Sequence, residues 1–235
     1  ILLIFSFCLC FTGYNFIKYF EIVFFKTQKY SSSLKLICFL TVISTLICMI
    51  ITTKLTGGML LLLLFMSLLT LFYCFPFNSV NKNLRKTPGL KIFIVATVWS
   101  LLIVVFPIIN FTDKLDVSFL IFFVQVLIFV IVTIFPFEIR DLNSDCKQLR
   151  TIPQIIGVKN TKVLALCLLI IFMLLDCIQY VILNSINFKS ILINAAVCLT
   201  TFTLIQKSKE NQSIYFSSFW VESLPILWLL LYIIL

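Results

Sequence analysis

Eight stretches of this chain run for about 20 residues each with almost no charge, the length a helix needs to cross the hydrocarbon core of a bilayer. They are 1–25, 36–53, 58–77, 90–111, 116–137, 162–184, 189–206 and 214–235. The runs are rich in Leu, Ile, Phe and Val and show no period-2 alternation, so helices are expected in place of barrel strands. Charged residues make up only 11% of the chain, against about 25% in a soluble globular domain. The expected fold is an all-α polytopic membrane bundle. The linkers are short, and no repeat or change of composition marks a second domain, so residues 1–235 read as one transmembrane domain. The chain opens inside an apolar run without a Met. It therefore reads as a fragment lacking its first helix, with nine helices expected in the complete protein.

The basic residues of the linkers alternate in number. Lys26, Lys29, Lys35, Lys82, Arg85, Lys86, Lys91, Arg140, Lys147, Arg150, Lys159, Lys162, Lys207 and Lys209 follow the odd-numbered spans. Only Lys54, Lys114 and Lys189 follow the even-numbered ones. Cytoplasmic linkers carry the excess of Lys and Arg. The first group is thus expected in the cytoplasm, the C-terminus on the far side, and the protein in the bacterial inner (cell) membrane. The net charge of +9 follows from this topology and does not call for a nucleic-acid partner; the expected partner surface is the lipid bilayer. Nine cysteines without a CxxC pair, and no histidine, argue against a zinc site or a disulfide framework. Without histidine, chemistry would have to rest on carboxylates, a metal and phosphate contacts.

The linker at 138–153 concentrates polar chemistry. It holds Glu138, Asp141 and Asp145, three of the nine acidic residues, and two of the three arginines, Arg140 and Arg150. If the stretch is helical, the three acids stand at i, i+3 and i+7 on one face. Three carboxylates together suit a hard divalent ion such as Mg²⁺, completed by water and phosphate oxygens. Arg140, Lys147 and Arg150 could hold a phosphate. The plainer reading is a solvated loop whose acids pair with these bases. A second polar linker, 73–91, leaves the third span on the same side with Lys82, Arg85, Lys86 and Lys91. It could hold the outer oxygens of a metal-bound diphosphate, although cytoplasmic linkers are basic for topological reasons alone. In the first span, Lys18 and Glu21 are expected to pair or to snorkel to the interface. Asp176, with Gln179 three residues on, is an intramembrane acid and so a functional candidate whose partner the sequence does not name. Glu222 is a similar, weaker candidate. The tryptophans and tyrosines read as interface anchors and packing.

The run Ile139–Asp145, followed by Arg150, Thr151, Ile152, Pro153 and Gly157, resembles the second aspartate motif of the UbiA superfamily of intramembrane prenyltransferases. Tyr73, Pro76, Lys82 and Arg85 are similar to the Tyr-x-x-Pro and basic segment of that family. Its nine helices would match the eight runs here as helices two to nine, over nearly the whole chain. The resemblance implies an enzyme that moves a prenyl group from a prenyl diphosphate to a lipophilic or aromatic acceptor. Asp141 and Asp145 would be catalytic, and Glu138, Asp141 and Asp145 would hold Mg²⁺. Lys82, Arg85, Arg150, Asn15 and Lys18 would bind the diphosphate. The family's first aspartate motif departs. Asn15 matches its leading Asn, but Phe16, Tyr19 and Val23 stand where acids would be, and Glu21 is out of register. The second motif is also one residue shorter before Arg150 and lacks a Gly often found there. This degeneracy leaves a second expectation open, a non-catalytic relative with a binding or scaffold role. A transporter is the weakest reading, because no pair of Gly- or Pro-broken spans occupies corresponding halves.

Overall fold

The computed structural model describes residues 1–24, 32–74, 89–111, 116–144, 149–184 and 186–235, with only the backbone described for residues 20–24, 110 and 111. Among these residues all regular secondary structure is helical. In lipid no water is available to the backbone, and a helix satisfies its own N–H and C=O groups. The helices are α1 (Leu2–Phe24), α2 (Ser32–Thr52), α3 (Gly57–Cys74), α4 (Leu90–Ser100), α5 (Phe106–Phe111), α6 (Val117–Arg140), α7 (Ile152–Val181), α8 (Phe188–Lys207) and α9 (Leu224–Ile234). A π-helical turn, Leu101–Val105, joins α4 to α5, and another, Phe216–Val221, leads into α9. Eight of the resulting helical stretches are long and apolar enough to cross a membrane. They follow the order of the eight runs in the sequence.

Both π-turns lie shortly before a proline, Pro107 or Pro225. Proline cannot donate a backbone hydrogen bond and crowds the carbonyl four residues earlier. A π-turn widens the helix by one residue per turn, which gives that carbonyl room. In the second turn the Glu222 N–H reaches back to the Ser217 carbonyl at 3.3 Å. Hydroxyls inside the spans are satisfied locally: Thr41, Thr52 and Thr70 donate to carbonyls four residues earlier at 2.7, 2.7 and 2.9 Å.

Two boundaries differ from the sequence expectation. The fifth span stays helical through Arg140 and then tightens into a 3₁₀ turn, Asp141–Asn143. The sixth begins at Ile152 instead of 162. Gln154 Oε1 accepts the Thr151 N–H at 3.1 Å, and Pro153 lies in the first turn; both favour a helix start. The helix breaks at Gly157 (φ 80°, ψ 160°), a conformation strained for any residue with a Cβ. Residues 152–156 thus form a short lead-in turn, and the uninterrupted spanning helix starts after the glycine.

Packing follows two apolar clusters. One joins α6, α7, α8 and α9 through Phe129, Val132, Phe135, Leu169, Phe172 and Val197. The other joins α1, α2, α3 and the Leu101–Phe106 region, with the Phe5 and Phe106 rings stacked at 5.4 Å. The fourth span bridges them, giving Ile92 and Ala96 to the first and Leu102 and Phe106 to the second. Large apolar side chains such as Phe7, Phe39, Leu61, Val181, Leu199 and Ile233 point outward. That surface suits lipid tails and would be costly in water.

Candidate functional site

At the end of α6, Arg140 grips its neighbour Asp141 with both branches of the guanidinium: Nε lies 2.6 Å from Oδ1 and Nη2 lies 2.9 Å from Oδ2. The guanidinium carbon is also 5.4 Å from the centre of the Phe137 ring. Bidentate Arg–carboxylate geometry is among the stronger charged contacts. Glu138, one turn earlier, is only 2% exposed and faces Lys91 Nζ at 3.9 Å. A basic residue of the 73–91 linker therefore does meet an acid of the 138–153 stretch. The α-helix ends at Arg140, and Asp141 already has φ −85°, ψ 3°. Glu138 points into the bundle while Asp141 stands at its rim. Asp145, Lys147, Pro76, Lys82, Arg85 and Lys86 lie outside the described residues. Arg150 is exposed, with φ +43°, a region few non-glycine residues occupy.

From α1 come Asn15 and Lys18, one turn apart. Lys18 is exposed, and its ammonium lies 5.4 and 5.3 Å from the ring centres of Tyr14 and Tyr19. The expected partner Glu21 has no described side chain, so the described contacts of Lys18 are aromatic. Asn15 is 8% exposed, and its Nδ2 has no hydrogen-bond partner among the described residues. Just beside this end of α1, Ile17, Thr70, Tyr73, Val95, Val98 and Trp99 line a small, mostly apolar crevice of about 60 Å³ between α1, α3 and α4.

The last span contributes a residue that the sequence reading ranked low. Glu222 follows the second π-turn and lies within electrostatic reach of both Lys18 and Arg140. The segment before it is tied to α6: Gln212 Nε2 donates to the Pro136 carbonyl at 2.7 Å and to Ser217 Oγ at 2.9 Å. Lys18, Arg140, Asp141 and Glu222 thereby gather at one end of the bundle. The available sequence signal was a carboxylate inside an otherwise apolar span, where a charge is costly unless it has a purpose.

Asp176 belongs to a different assembly. It is 1% exposed. Gln125 Nε2 donates to its Oδ1 at 2.7 Å, and Asn194 Nδ2 lies 3.0 and 2.9 Å from its two oxygens. Asn194 Oδ1 in turn accepts from Trp228 Nε1 at 2.9 Å. Gln179 Nε2 reaches the Gln125 Oε1 at 3.4 Å and the Ser118 carbonyl at 3.3 Å. The network ties α6, α7, α8 and α9 together away from Arg140, and it supplies the partners that sequence could not name.

Among the described residues, no three of His, Cys, Asp and Glu converge as a metal cluster. Of Glu138 and Asp141, the described acids of the 138–153 stretch, Asp141 is the more open, with its side chain 33% exposed. Mg²⁺ is commonly held by one or two carboxylates with the remaining oxygens from phosphate and water. A Mg²⁺ ion there would need Asp141 released from Arg140, and Glu138 as placed faces Lys91. No family model, curated protein or solved structure matches the chain.

Proposed function

We propose that the protein is a UbiA-like membrane prenyltransferase whose diphosphate site lies at the Arg140 end of the bundle, facing the cytoplasm. The observation that carries the reading is Asn15 Nδ2, a buried amide donor without an acceptor among the described residues, one helical turn from Lys18 and at the same end as Arg140 and Asp141. A buried donor left unpaired costs about 1–3 kcal/mol. A phosphate oxygen would relieve that cost, and the ammonium of Lys18 would add a charge-assisted contact. Arg150, Lys82 and Arg85 are the further bases assigned to the diphosphate. Asp141 and Asp145 would hold Mg²⁺, which when bound supplies positive charge against the charge developing on the leaving diphosphate. The crevice beside Tyr73 and Trp99 is apolar and aromatic-edged, and it would have to widen to admit a prenyl chain. The rings of Tyr14 and Tyr19 beside Lys18 present π faces that favour a neighbouring allylic cation.

The competing reading is a catalytically degenerate relative with a binding or scaffold role. It is favoured by Phe16, Tyr19 and Val23 at the acidic positions of the first motif. Calorimetric titration of the purified protein with geranyl or farnesyl diphosphate separates the two. The enzyme reading expects Mg²⁺ and diphosphate each to tighten the other by the same factor, and Asp141→Asn to abolish that coupling. Equal binding with and without Mg²⁺ in both parent and variant would replace it with the non-catalytic reading.

A further inference from the structure

We propose that the lysine-bearing end of the seam between α7 and α8 is a binding site for an anionic phospholipid of the surrounding bilayer, with the headgroup phosphate on Lys162, Lys207 and Lys209. The two helices pack through Leu169, Val197 and their neighbours and run in opposite directions, so the start of spanning α7 meets the end of α8. There Lys162 Nζ donates to the Gln206 carbonyl at 2.7 Å. The last carbonyls of a helix have no partner within it, and a lysine that reaches one caps the helix. The bond uses one of the three ammonium donors and holds a cation at the seam. Lys207 is the next residue after Gln206, and Lys209 follows where the backbone leaves the helix at Ser208 (φ −64°, ψ 136°). Lys159 stands one turn before Lys162 on α7. Lys159, Lys207 and Lys209 are exposed.

Beneath these lysines the surface is apolar and faces outward. On α7, exposed Val163, Leu166 and Ile170 continue from Lys159 at helical spacing. On α8, exposed Leu199, Ala196 and Leu192 continue from Lys207 past Thr203 in the same way. Each helix thus sets an ammonium above a stripe that an acyl chain can follow. Tyr215, Phe219 and Trp220, in the segment after Lys209, are exposed as well, and the first two rings stack at 5.0 Å. Exposed aromatics of this kind mark the level of the membrane interface. The nearest acid in the chain, Glu210, is exposed, and its Oε2 accepts from Asn143 Nδ2 at 3.2 Å, toward the end of α6. Were it also to pair with one lysine, cations would still be in excess. Residues 145–148, outside the described residues, carry one acid and one base, Asp145 and Lys147, and leave the sum unchanged. Excess cations above an apolar surface select an amphiphile with an anionic head. A soluble anion would leave the stripes unused, and a zwitterionic lipid brings no net charge to the lysines.

The test is thermal melting of the full chain in uncharged detergent, titrated with phosphatidylglycerol, with phosphatidylcholine of the same acyl chains, or with inorganic phosphate. A ligand that binds the folded state raises the melting temperature as its concentration passes the Kd. Two variants accompany the parent. Lys159→Gln/Lys207→Gln/Lys209→Gln leaves the Lys162–Gln206 bond in place, and Lys26→Gln/Lys29→Gln/Lys35→Gln removes the same charge from another linker. The parent and the second variant are expected to be stabilised by phosphatidylglycerol and by neither other ligand. Each lysine near the surface adds about fivefold to affinity for an anionic lipid, so the first variant should bind phosphatidylglycerol roughly a hundredfold more weakly. Equal stabilisation of the parent by phosphatidylcholine overturns the charge recognition. Equal stabilisation by inorganic phosphate makes this a soluble-anion site and overturns the lipid as its occupant. An equal loss in both variants is a response to net charge alone and overturns the seam as the site. A parent that none of the three ligands stabilises overturns the proposal outright, and the diphosphate reading stands or falls separately on its own titration.

Discussion

Replacing Asn194 with Leu should be one of the most damaging conservative-volume changes in the bundle. Asn194 does two jobs with one amide: Nδ2 faces both oxygens of Asp176, and Oδ1 takes the indole N–H of Trp228. Trp228 Nε1–H can only donate, so it fixes which way the amide points. Leu leaves that indole donor unpaired and leaves Asp176 with Gln125 as its remaining described donor. Each buried group left unsatisfied costs about 1–3 kcal/mol. Hydrogen bonds measured within membrane helices average lower, about 0.6 and at most about 1.7 kcal/mol, because the unfolded chain in the membrane also finds partners. Two stranded groups, one a carboxyl, then give a destabilisation of about 2–4 kcal/mol for Asn194→Leu. The paired change Asp176→Leu/Asn194→Leu removes the stranded carboxyl and should cost about 1–2 kcal/mol less than the sum of the two single changes. Equilibrium unfolding in mixed detergent micelles, followed by tryptophan fluorescence and by helicity, measures all three. Asn194→Leu within about 0.5 kcal/mol of the parent, or strict additivity of the pair, would refute the account of a mutually satisfying network.

Two further outcomes follow from the placement of the charges. Impermeant labelling of single cysteines placed at 140–144 and at 89–91 should come from the same side of the membrane, and labelling at the C-terminus from the other; opposite sides for the first two would dismantle both the topology and the shared site. Arg150 holds a left-handed backbone, so Arg150→Gly should relieve about 1 kcal/mol of strain and raise the melting temperature slightly. It should also weaken diphosphate binding if the guanidinium reaches the ligand; a gain in stability with unchanged binding would remove Arg150 from the site.

The sequence by itself determined the class of fold. Twenty-residue apolar runs admit little besides spanning helices, because the backbone must bond to itself in lipid, and this constraint acts span by span without any tertiary contact. It located eight spans and erred chiefly at 138–161. There the helix signals were local but competing: Thr151, Pro153 and Gln154 start a helix, and Gly157 interrupts it. The placing of Glu138 and Asp141 depended on where α6 ends: Glu138, still inside the helix, faces Lys91, and Asp141, where the chain tightens into a 3₁₀ turn, meets Arg140, while Asp145 lies outside the described residues. What tertiary structure alone decided was which polar groups meet across spans. Asp176 finds Gln125 and Asn194, 51 and 18 residues away, and Glu222 comes within reach of Lys18 from the far end of the chain. No periodicity encodes such pairings. They arise because apolar packing sets the order and rotation of the helices, and a polar group carried into a lipid-surrounded bundle is stable only where that packing has brought it a partner.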